Sequence, residues 1–255
     1  MDPLRSILRL EDKTPNLDEA ALYIARIVYP NLPVAPWLAE LDFHAEEIRR
    51  RNSRSFRHGA HEYLFQELGL TGNEEDYYNA NNSCLNYVLE SRKGIPITLC
   101  LLYMELGRRL GVAVDGIAAP GHFLVRIEEE GDTYYIDPFK AGQIREDIEE
   151  ELDLRYLAAT PKRVMLVRML NNLRLIYLQR QTWGKAAEVL NLLLEADPVD
   201  ADALRQRAAT FAATQRYQAA AQDLDRYLQL RPFDPEKDEM QSQIARLRRM
   251  HAHKN

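Results

Sequence analysis

The chain has 255 residues, of which 46% are hydrophobic and 28% are charged, and its formal net charge is −6 at pH 7. This length suits one large or two small domains, and the negative balance argues against a general nucleic-acid-binding protein. No segment approaches the roughly 18 apolar residues that cross a bilayer, and the start lacks the apolar run of a signal peptide. Two cysteines, Cys84 and Cys100, are too few for a disulfide framework and lack metal-site spacing. We therefore expect a cytoplasmic protein with no nucleic-acid or membrane partner and no cofactor.

Apolar residues at helical spacing predict that the first third of the chain is helical. One helix covers Leu17–Ala25 and ends before Pro30. A second covers residues 37–51 and a third covers 58–68, where Gly69 closes it. A fourth follows a polar segment and covers 84–91.

The pattern changes between residues 94 and 137. Pro96 opens a predicted helix, in whose first turn a missing N–H costs little, and Gly111 stops that helix. Three strand-like segments follow at 112–117, 122–128 and 133–136, the last two joined by a turn at 130–132. A helix followed by a short antiparallel meander, behind a helical front, predicts an α+β domain over residues 1–160.

Residues 161–255, beyond a predicted boundary at Thr160-Pro161, show only helical patterns and repeat with a period of 34. The aligned pairs are Trp183 with Tyr217, Ala186 with Ala220, Leu190 with Leu224 and Pro198 with Pro232. Small alanines allow two helices to approach closely, and the proline sets the turn to the next unit. This pattern resembles the tetratricopeptide family, with two repeats and a capping helix over 234–250. The resemblance implies an all-α array of helical hairpins that binds a protein partner, with a stabilising appendage as the alternative.

Four motifs of the first domain resemble the transglutaminase-like, papain-like α/β core. They are Gly94-Ile95-Pro96, Arg108-Arg109-Leu110-Gly111, Gly121-His122-Phe123 and Tyr135-Ile136-Asp137-Pro138. That family places a nucleophilic cysteine at a helix N-terminus, where a thiolate is stabilised, then a histidine that moves the proton and an aspartate that orients it. The resemblance implies that His122 and Asp137 are two members of this triad. A purely structural histidine–carboxylate pair is the alternative.

The nucleophile position departs from the family pattern. Counting back from Gly111 places Pro96 where the family has its cysteine, and proline cannot attack a substrate. Cys100 lies one helical turn later on the same face, displaced by about 6 Å. It is either a buried small hydrophobe or a replacement nucleophile. Cys84 and Thr98 are weaker candidates for that role.

The whole arrangement is similar to the SirB-type proteins, a bacterial family that joins a transglutaminase-like core to C-terminal tetratricopeptide repeats. The segments that carry the resemblance are EAALYIA at 19–25, NSCLNYVLE at 82–90, GIPI at 94–97, PGHFL at 120–124 and IDPF at 136–139. The resemblance implies a helical N-terminal part packed on the core, and a cytoplasmic regulatory or accessory role.

We therefore expect a non-catalytic protein that binds a protein or peptide partner through its core cleft and its repeats. The alternative is a hydrolase or acyltransferase in which Cys100 is the nucleophile, His122 the base and Asp137 the orienting residue. His58 and His61 lie three residues apart, which permits metal binding but is common by chance, so we expect no metal. The oligomeric state stays open.

Overall fold

The computed structural model describes residues 3–9, 16–51, 54–119, 122–146, 148–151 and 153–254. The described residues form two compact units. The core unit contains the residues from 16 to Met169, and the repeat unit contains helix α1 (Pro3–Arg9) and the residues from Leu170 onward. The domain limit at 160/161 stays a prediction. Among the described helices, none is both long and apolar enough to cross a membrane.

The core unit begins with the predicted N-terminal helices. The helices that lie entirely within this unit are α2 (Leu17–Ala25), α3 (Val34–Arg50), α4 (Phe56–Ala60), α5 (Leu85–Ser91), α6 (Pro96–Arg109) and the short α7 (Ile148–Glu151). The single helix predicted over 58–68 is wrong in its form, because α4 passes directly into a π-helix at His61–Glu67. A π-helix is rare and is frequently found at functional sites.

Helix α6 is the centre of the core unit. Pro96 occupies its first turn, and Gly111, with a φ of +76°, follows its last residues. Leu99 and Leu101 are both fully buried although they point in nearly opposite directions around the helix. Each contributes roughly 1.5–3 kcal/mol when removed from water. The N-terminus of α6 is therefore held rigidly inside the domain.

The three predicted strands, observed as β3, β4 and β5, lie close to their predicted places. A small parallel pair joins β1 (Thr71–Gly72) to β2 (Lys93–Gly94), and an antiparallel sheet follows in the order β3 (Val114–Ile117), β4 (Leu124–Glu129), β5 (Asp132–Asp137) and β6 (Gln143–Ile144). Glu130 and Gly131 connect β4 to β5, both with positive φ, as in the type I′ turns that suit a hairpin. Strands β1, β2 and β6 were not predicted, and His122 precedes β4 instead of lying on it.

An ion-pair network holds α2 against the end of α6. The guanidinium of Arg109 donates to Asp18 Oδ2 at 2.6 Å and to Glu105 Oε2 at 3.2 Å, while Arg108 donates to Glu105 at 2.6 Å. Both carboxylates are almost fully buried. Burial, and next the charge of Asp18, raise the pKa of Glu105. The N-terminal helices therefore pack on the core, as predicted.

The repeat unit confirms the 34-residue period. It contains the later residues of α8 (Lys162–Gln179), then α9 (Trp183–Ala196), α10 (Ala201–Ala213), α11 (Tyr217–Leu230) and α12 (Lys237–Lys254). Helices α9 and α11 have equal lengths and begin 34 residues apart, at the aligned Trp183 and Tyr217. Gln181 and Gln215, also 34 apart, both have positive φ, at 53° and 58°. Each repeat therefore bends its chain at the same point.

The two repeats are joined by a polar contact as well as by apolar packing. Arg207 on α10 donates two hydrogen bonds to Asp223 on α11, at 2.6 and 2.7 Å, and a third to Asn191 on α9 at 2.9 Å. Ile244 and Leu247 of α12 join the apolar cluster of this unit. Helix α12 therefore covers the end of the array, as predicted.

Helix α1 packs on α9, within the repeat unit. Leu4 and Leu8 are buried, and Arg5 and Arg9 pair with Glu195 at 3.2 and 3.0 Å. An apolar stripe with a charged edge is what an amphipathic helix uses to dock on a neighbour. The first described residues thus extend the helical array.

Candidate functional site

His122 and Asp137 form a close pair in the core unit. His122 Nε2 lies 2.5 Å from Asp137 Oδ2, and the aspartate is almost fully buried. Its other oxygen, Oδ1, accepts from the backbone N–H groups of Phe139 and Lys140 at 3.0 and 3.2 Å. A carboxylate held in this way accepts a hydrogen bond from the Nε2–H group and fixes the ring orientation. The neighbouring Pro120 and Gly121 of the motif lie outside the described residues.

The two ring nitrogens of His122 have different surroundings. Because Nε2 faces the carboxylate, Nδ1 is the nitrogen that a neutral ring would offer as a base. Within the described part of the chain, no side chain hydrogen-bonds to Nδ1, and the side chain of His122 is 25% exposed. The assignment of this pair as a remnant triad, meaning a triad without its nucleophile, remains a prediction.

The N-terminus of α6 carries no thiol. Pro96 is its first residue and is buried, and Thr98, in the same turn, is fully buried. The hydroxyl of Thr98 has no hydrogen-bond partner among the described residues. A buried threonine without a neighbouring base is not an activated nucleophile. The first turn therefore offers neither a thiolate nor an activated hydroxyl.

Both cysteines are sealed inside the core unit. Cys100 is fully buried, and its Sγ donates to the carbonyl oxygen of Phe123 at 3.3 Å. Burial, and next the charge of Asp137, raise the pKa of the Cys100 thiol well above its ordinary value. Cys84 is also fully buried and lies at the start of α5, with its Sγ 3.6 Å from the carbonyl oxygen of Ala80. Neither thiol has the exposed, electropositive surroundings of a reactive cysteine.

A series of aromatic ring contacts extends from His122 to two partly exposed tyrosines. The Phe139 ring meets the His122 ring edge-on at 6.2 Å, Tyr77 packs on Phe139 at 6.0 Å, and Tyr78 packs on Tyr77 at 5.3 Å. Tyr78 is 66% exposed. We name these three residues, Phe139, Tyr77 and Tyr78, the aromatic wall. The sequence reasoning missed Tyr77 and Tyr78, although two adjacent tyrosines in a polar segment were a usable signal.

The remaining histidine candidates lie elsewhere. His58 and His61 line a separate cavity beside the π-helix, together with Glu62. Among the described residues, no three histidine, cysteine, aspartate or glutamate side chains converge to hold a metal ion. The structure therefore does not bring these histidines to the His122–Asp137 pair.

Comparison with known families gives two matches. The family described as the Transglutaminase-like superfamily matches residues 35–171, and a tetratricopeptide-repeat family matches residues 173–250. The fold is therefore that of a transglutaminase-like domain followed by tetratricopeptide repeats, as predicted. No solved structure matches the chain significantly.

Similar proteins extend over most of the chain. A UPF0162 protein of Xylella fastidiosa is 36% identical over 249 residues, which cover 89% of this chain and 88% of that protein. A UPF0162 protein of Pseudomonas aeruginosa is 30% identical over 246 residues, which cover 90% of each. The chain belongs to the UPF0162 family, and the predicted SirB-type architecture is confirmed.

A more distant relative shares only a segment. The human F-box only protein 21 is 42% identical over 88 residues, which cover 31% of this chain and 14% of that protein.

At the level of the family, a transglutaminase-like domain with tetratricopeptide repeats supports an accessory role in protein interaction.

Proposed function

We propose that the protein is a non-catalytic accessory protein that binds protein or peptide partners. The cleft at His122 and Asp137 binds an extended segment of the partner, in the place where active relatives would hold a substrate. The tetratricopeptide repeats supply a second surface, because stacked helical hairpins expose an extended face to a partner.

The observation that carries this proposal is Pro96 at the first position of α6. Triad chemistry needs a thiolate there, within hydrogen-bond reach of the histidine. Proline has no nucleophilic atom, and Cys100 one turn later directs its Sγ to the carbonyl oxygen of Phe123. A base and its orienting carboxylate without a nucleophile favour binding over catalysis.

The aromatic wall supports the same proposal. Tyr77 and Tyr78 present a large amphipathic surface, 42% and 66% exposed, and such tyrosines are enriched where proteins bind one another. A partly exposed histidine beside them adds a hydrogen-bonding group. An extended peptide could place an apolar side chain on the rings and a backbone group at His122.

Site-specific photo-cross-linking in living cells tests the proposal. A photoreactive amino acid replaces Tyr78 in the wall, Phe233 in the repeat unit (95% exposed), or Phe43 on α3 (53% exposed) as a control. We expect one discrete cross-linked protein from Tyr78, or from Tyr78 and Phe233, that Phe43 does not give. Adding His122→Ala should weaken the Tyr78 product. Cross-linking that is equal at all three positions, or absent from both Tyr78 and Phe233, would contradict the proposal.

A cysteine graft tests the remnant cleft separately. In Pro96→Cys the new thiol lies at a helix N-terminus, where thiolates are stabilised. If the cleft keeps its ancestral geometry, this thiol should be alkylated faster at neutral pH than the native cysteines, and His122→Ala in the same background should slow it. No gain in reactivity would count against the cleft.

The same proposal includes a cytoplasmic location and no nucleic-acid or membrane partner. It is supported by the net charge of −6, since nucleic-acid-binding domains are usually basic. Cell fractionation with detection of the native protein tests the location. Recovery in the membrane or nucleic-acid fraction at moderate salt would contradict it.

A further inference from the structure

A cavity lies in the core unit beside the π-helix. Its volume is about 730 Å³, which is in the range of small-molecule sites. Its walls include the cationic or polar side chains Arg54, Arg57, His58, His61 and Tyr103, whereas the remnant-triad histidine does not line it. The cavity is therefore a separate feature from the aromatic wall and the cleft.

Tyr103 lines this cavity and carries a buried hydroxyl that is not hydrogen-bonded to any described residue. Tyr103 is almost fully buried, and its ring packs against Phe56 at 5.2 Å and Phe65 at 6.3 Å. Its hydroxyl has no hydrogen-bond partner among the described residues, which is unusual for a buried polar group and calls for an acceptor. Burial, with a smaller contribution from Glu129, raises the pKa of Tyr103, so the group stays a protonated donor.

A second donor at the cavity is also incompletely used. The Nε of Arg57 is buried without a hydrogen bond from it to any described residue, although it lies 3.6 Å from Glu129 Oε2. The guanidinium stacks on the ring of Tyr134 at 4.0 Å, which fixes its orientation. Arg54 and His58 are exposed at the rim. Glu129 Oε2 is likewise buried without a hydrogen bond to any described residue, and it is the carboxylate next to this donor. Among the described lining residues, two arginines, Arg54 and Arg57, face a single acidic residue, Glu62.

The apolar side of the cavity is tightly packed. Phe65 on the π-helix and Gly142 before β6 both line it, and a Cβ added at Gly142 would overlap the Phe65 ring and come within 3.0 Å of His61 Nδ1. The glycine also has a φ of +76°, which other residues adopt rarely. The π-helix brings His61 and Phe65 onto the same wall, in a geometry that is frequent at functional sites.

We propose that this cavity binds a small organic anion, namely a carboxylate or phosphate carried on an apolar group. Tyr103 and Arg57 donate to the anionic head, Arg54 adds charge at the rim, and Phe65 packs on the apolar part. Two lining arginines against one lining carboxylate, two donors without a hydrogen bond to the described residues and an apolar wall are the complement of such a molecule.

Calorimetric titration of the full chain tests the site with four probes. Phenyl phosphate and benzoate carry both features, phenol lacks the charge, and inorganic phosphate lacks the apolar group. We expect saturable binding of phenyl phosphate or benzoate at least about tenfold tighter than phenol or inorganic phosphate, since a charge-assisted hydrogen bond is worth that factor. The tighter of the two anions identifies the head group.

Two variants with a matched control locate the binding. Tyr103→Phe removes one hydroxyl and keeps the ring, and it should weaken the better anion about tenfold or more while leaving the unliganded protein at least as stable. Arg54→Gln should also weaken it, whereas Arg50→Gln, an exposed arginine that does not line the cavity, should not. His122→Ala should leave anion binding unchanged, which separates this site from the cleft.

The proposal is overturned if neither anion binds, if phenol or inorganic phosphate binds as tightly, or if Tyr103→Phe and Arg54→Gln both keep full affinity. Should Tyr103→Phe fail to fold, the hydroxyl has a structural role that contradicts its lack of a partner. The comparison of Arg54→Gln with Arg50→Gln then still tests the rim.

Discussion

Alkylation of Cys100 gives the sharpest test of whether this chain retains a nucleophile. At pH 7.5 an ordinary exposed thiol, with a pKa near 8.5, is about one-tenth thiolate. Cys100 is fully buried, its thiol donates to the carbonyl oxygen of Phe123, and its pKa is raised by burial. It should therefore react only in molecules in which the core has opened.

The magnitude follows from the stability of the core. If exposing Cys100 requires global unfolding at the low end of domain stabilities, about 5 kcal/mol, roughly one molecule in 5,000 is open at any moment. Local opening that costs about 3 kcal/mol would still leave fewer than one in a hundred. We expect native Cys100 to be alkylated at least about a hundredfold more slowly than in denaturant, and equally slowly in His122→Ala.

The assay is iodoacetamide labelling of the native protein from pH 6 to 9, with the modified peptides quantified by mass spectrometry. Cys84 is an internal control in the same sample, because it is also fully buried but begins a different helix. Labelling of Cys100 within about tenfold of the unfolded rate, lost in His122→Ala, would refute the reasoning and favour the hydrolase or acyltransferase. Slow labelling that is independent of His122 would support the binding protein.

Three further predictions concern stability. Burial raises the pKa of Glu105 above its ordinary 4.5, so the stability that its protonated form contributes is lost as pH rises through the raised value. Relative to Glu105→Gln, the wild type should therefore lose unfolding free energy above about pH 4.5. Parallel pH profiles of the two proteins in urea denaturation would contradict this. Gly72→Ala places a Cβ 2.5 Å from a phenylalanine ring and should cost about 1–3 kcal/mol in the same assay, whereas Gly184→Ala has no heavy atom within 4 Å and should cost nothing. Asp223 pairs with Arg207, whose side chain is 19% exposed, whereas Asp225 pairs with Arg248, whose side chain is 63% exposed. Asp223→Ala leaves Arg207 without its two-hydrogen-bond partner and should cost about 3 kcal/mol, whereas Asp225→Ala should cost less than about 1 kcal/mol. Equal losses in thermal unfolding would mean that burial does not decide the value of these pairs.

Much of the fold could be predicted because its determinants are local. Similar residue types recur at a fixed spacing in the two repeats, and α9 and α11 begin at the aligned Trp183 and Tyr217. The hairpin of β4 and β5 follows from alternating apolar residues around a turn-forming glycine. Helix α6 was predictable because Pro96 marks its start and Gly111 its end.

The candidate site could be predicted only in part. His122 and Asp137 came from motif resemblance, and the structure places their side chains 2.5 Å apart. Tyr77 was missed because it reaches the site through Phe139, 62 residues later in the chain. The π-helix was missed because its residues have the same apolar spacing as an ordinary helix.

By itself, the sequence determined the order of the elements, the repeat and the absence of a cysteine at Pro96, because each depends on residues close together in the chain. Only the tertiary structure decided that Cys100 is sealed against Phe123, that Asp18 and Glu105 share Arg109, and that the buried Tyr103 hydroxyl has no hydrogen-bond partner among the described residues. The physical reason is that burial and hydrogen-bond satisfaction are set by residues distant in sequence. The same thiol or hydroxyl is reactive, structural or ligand-binding according to what packs around it.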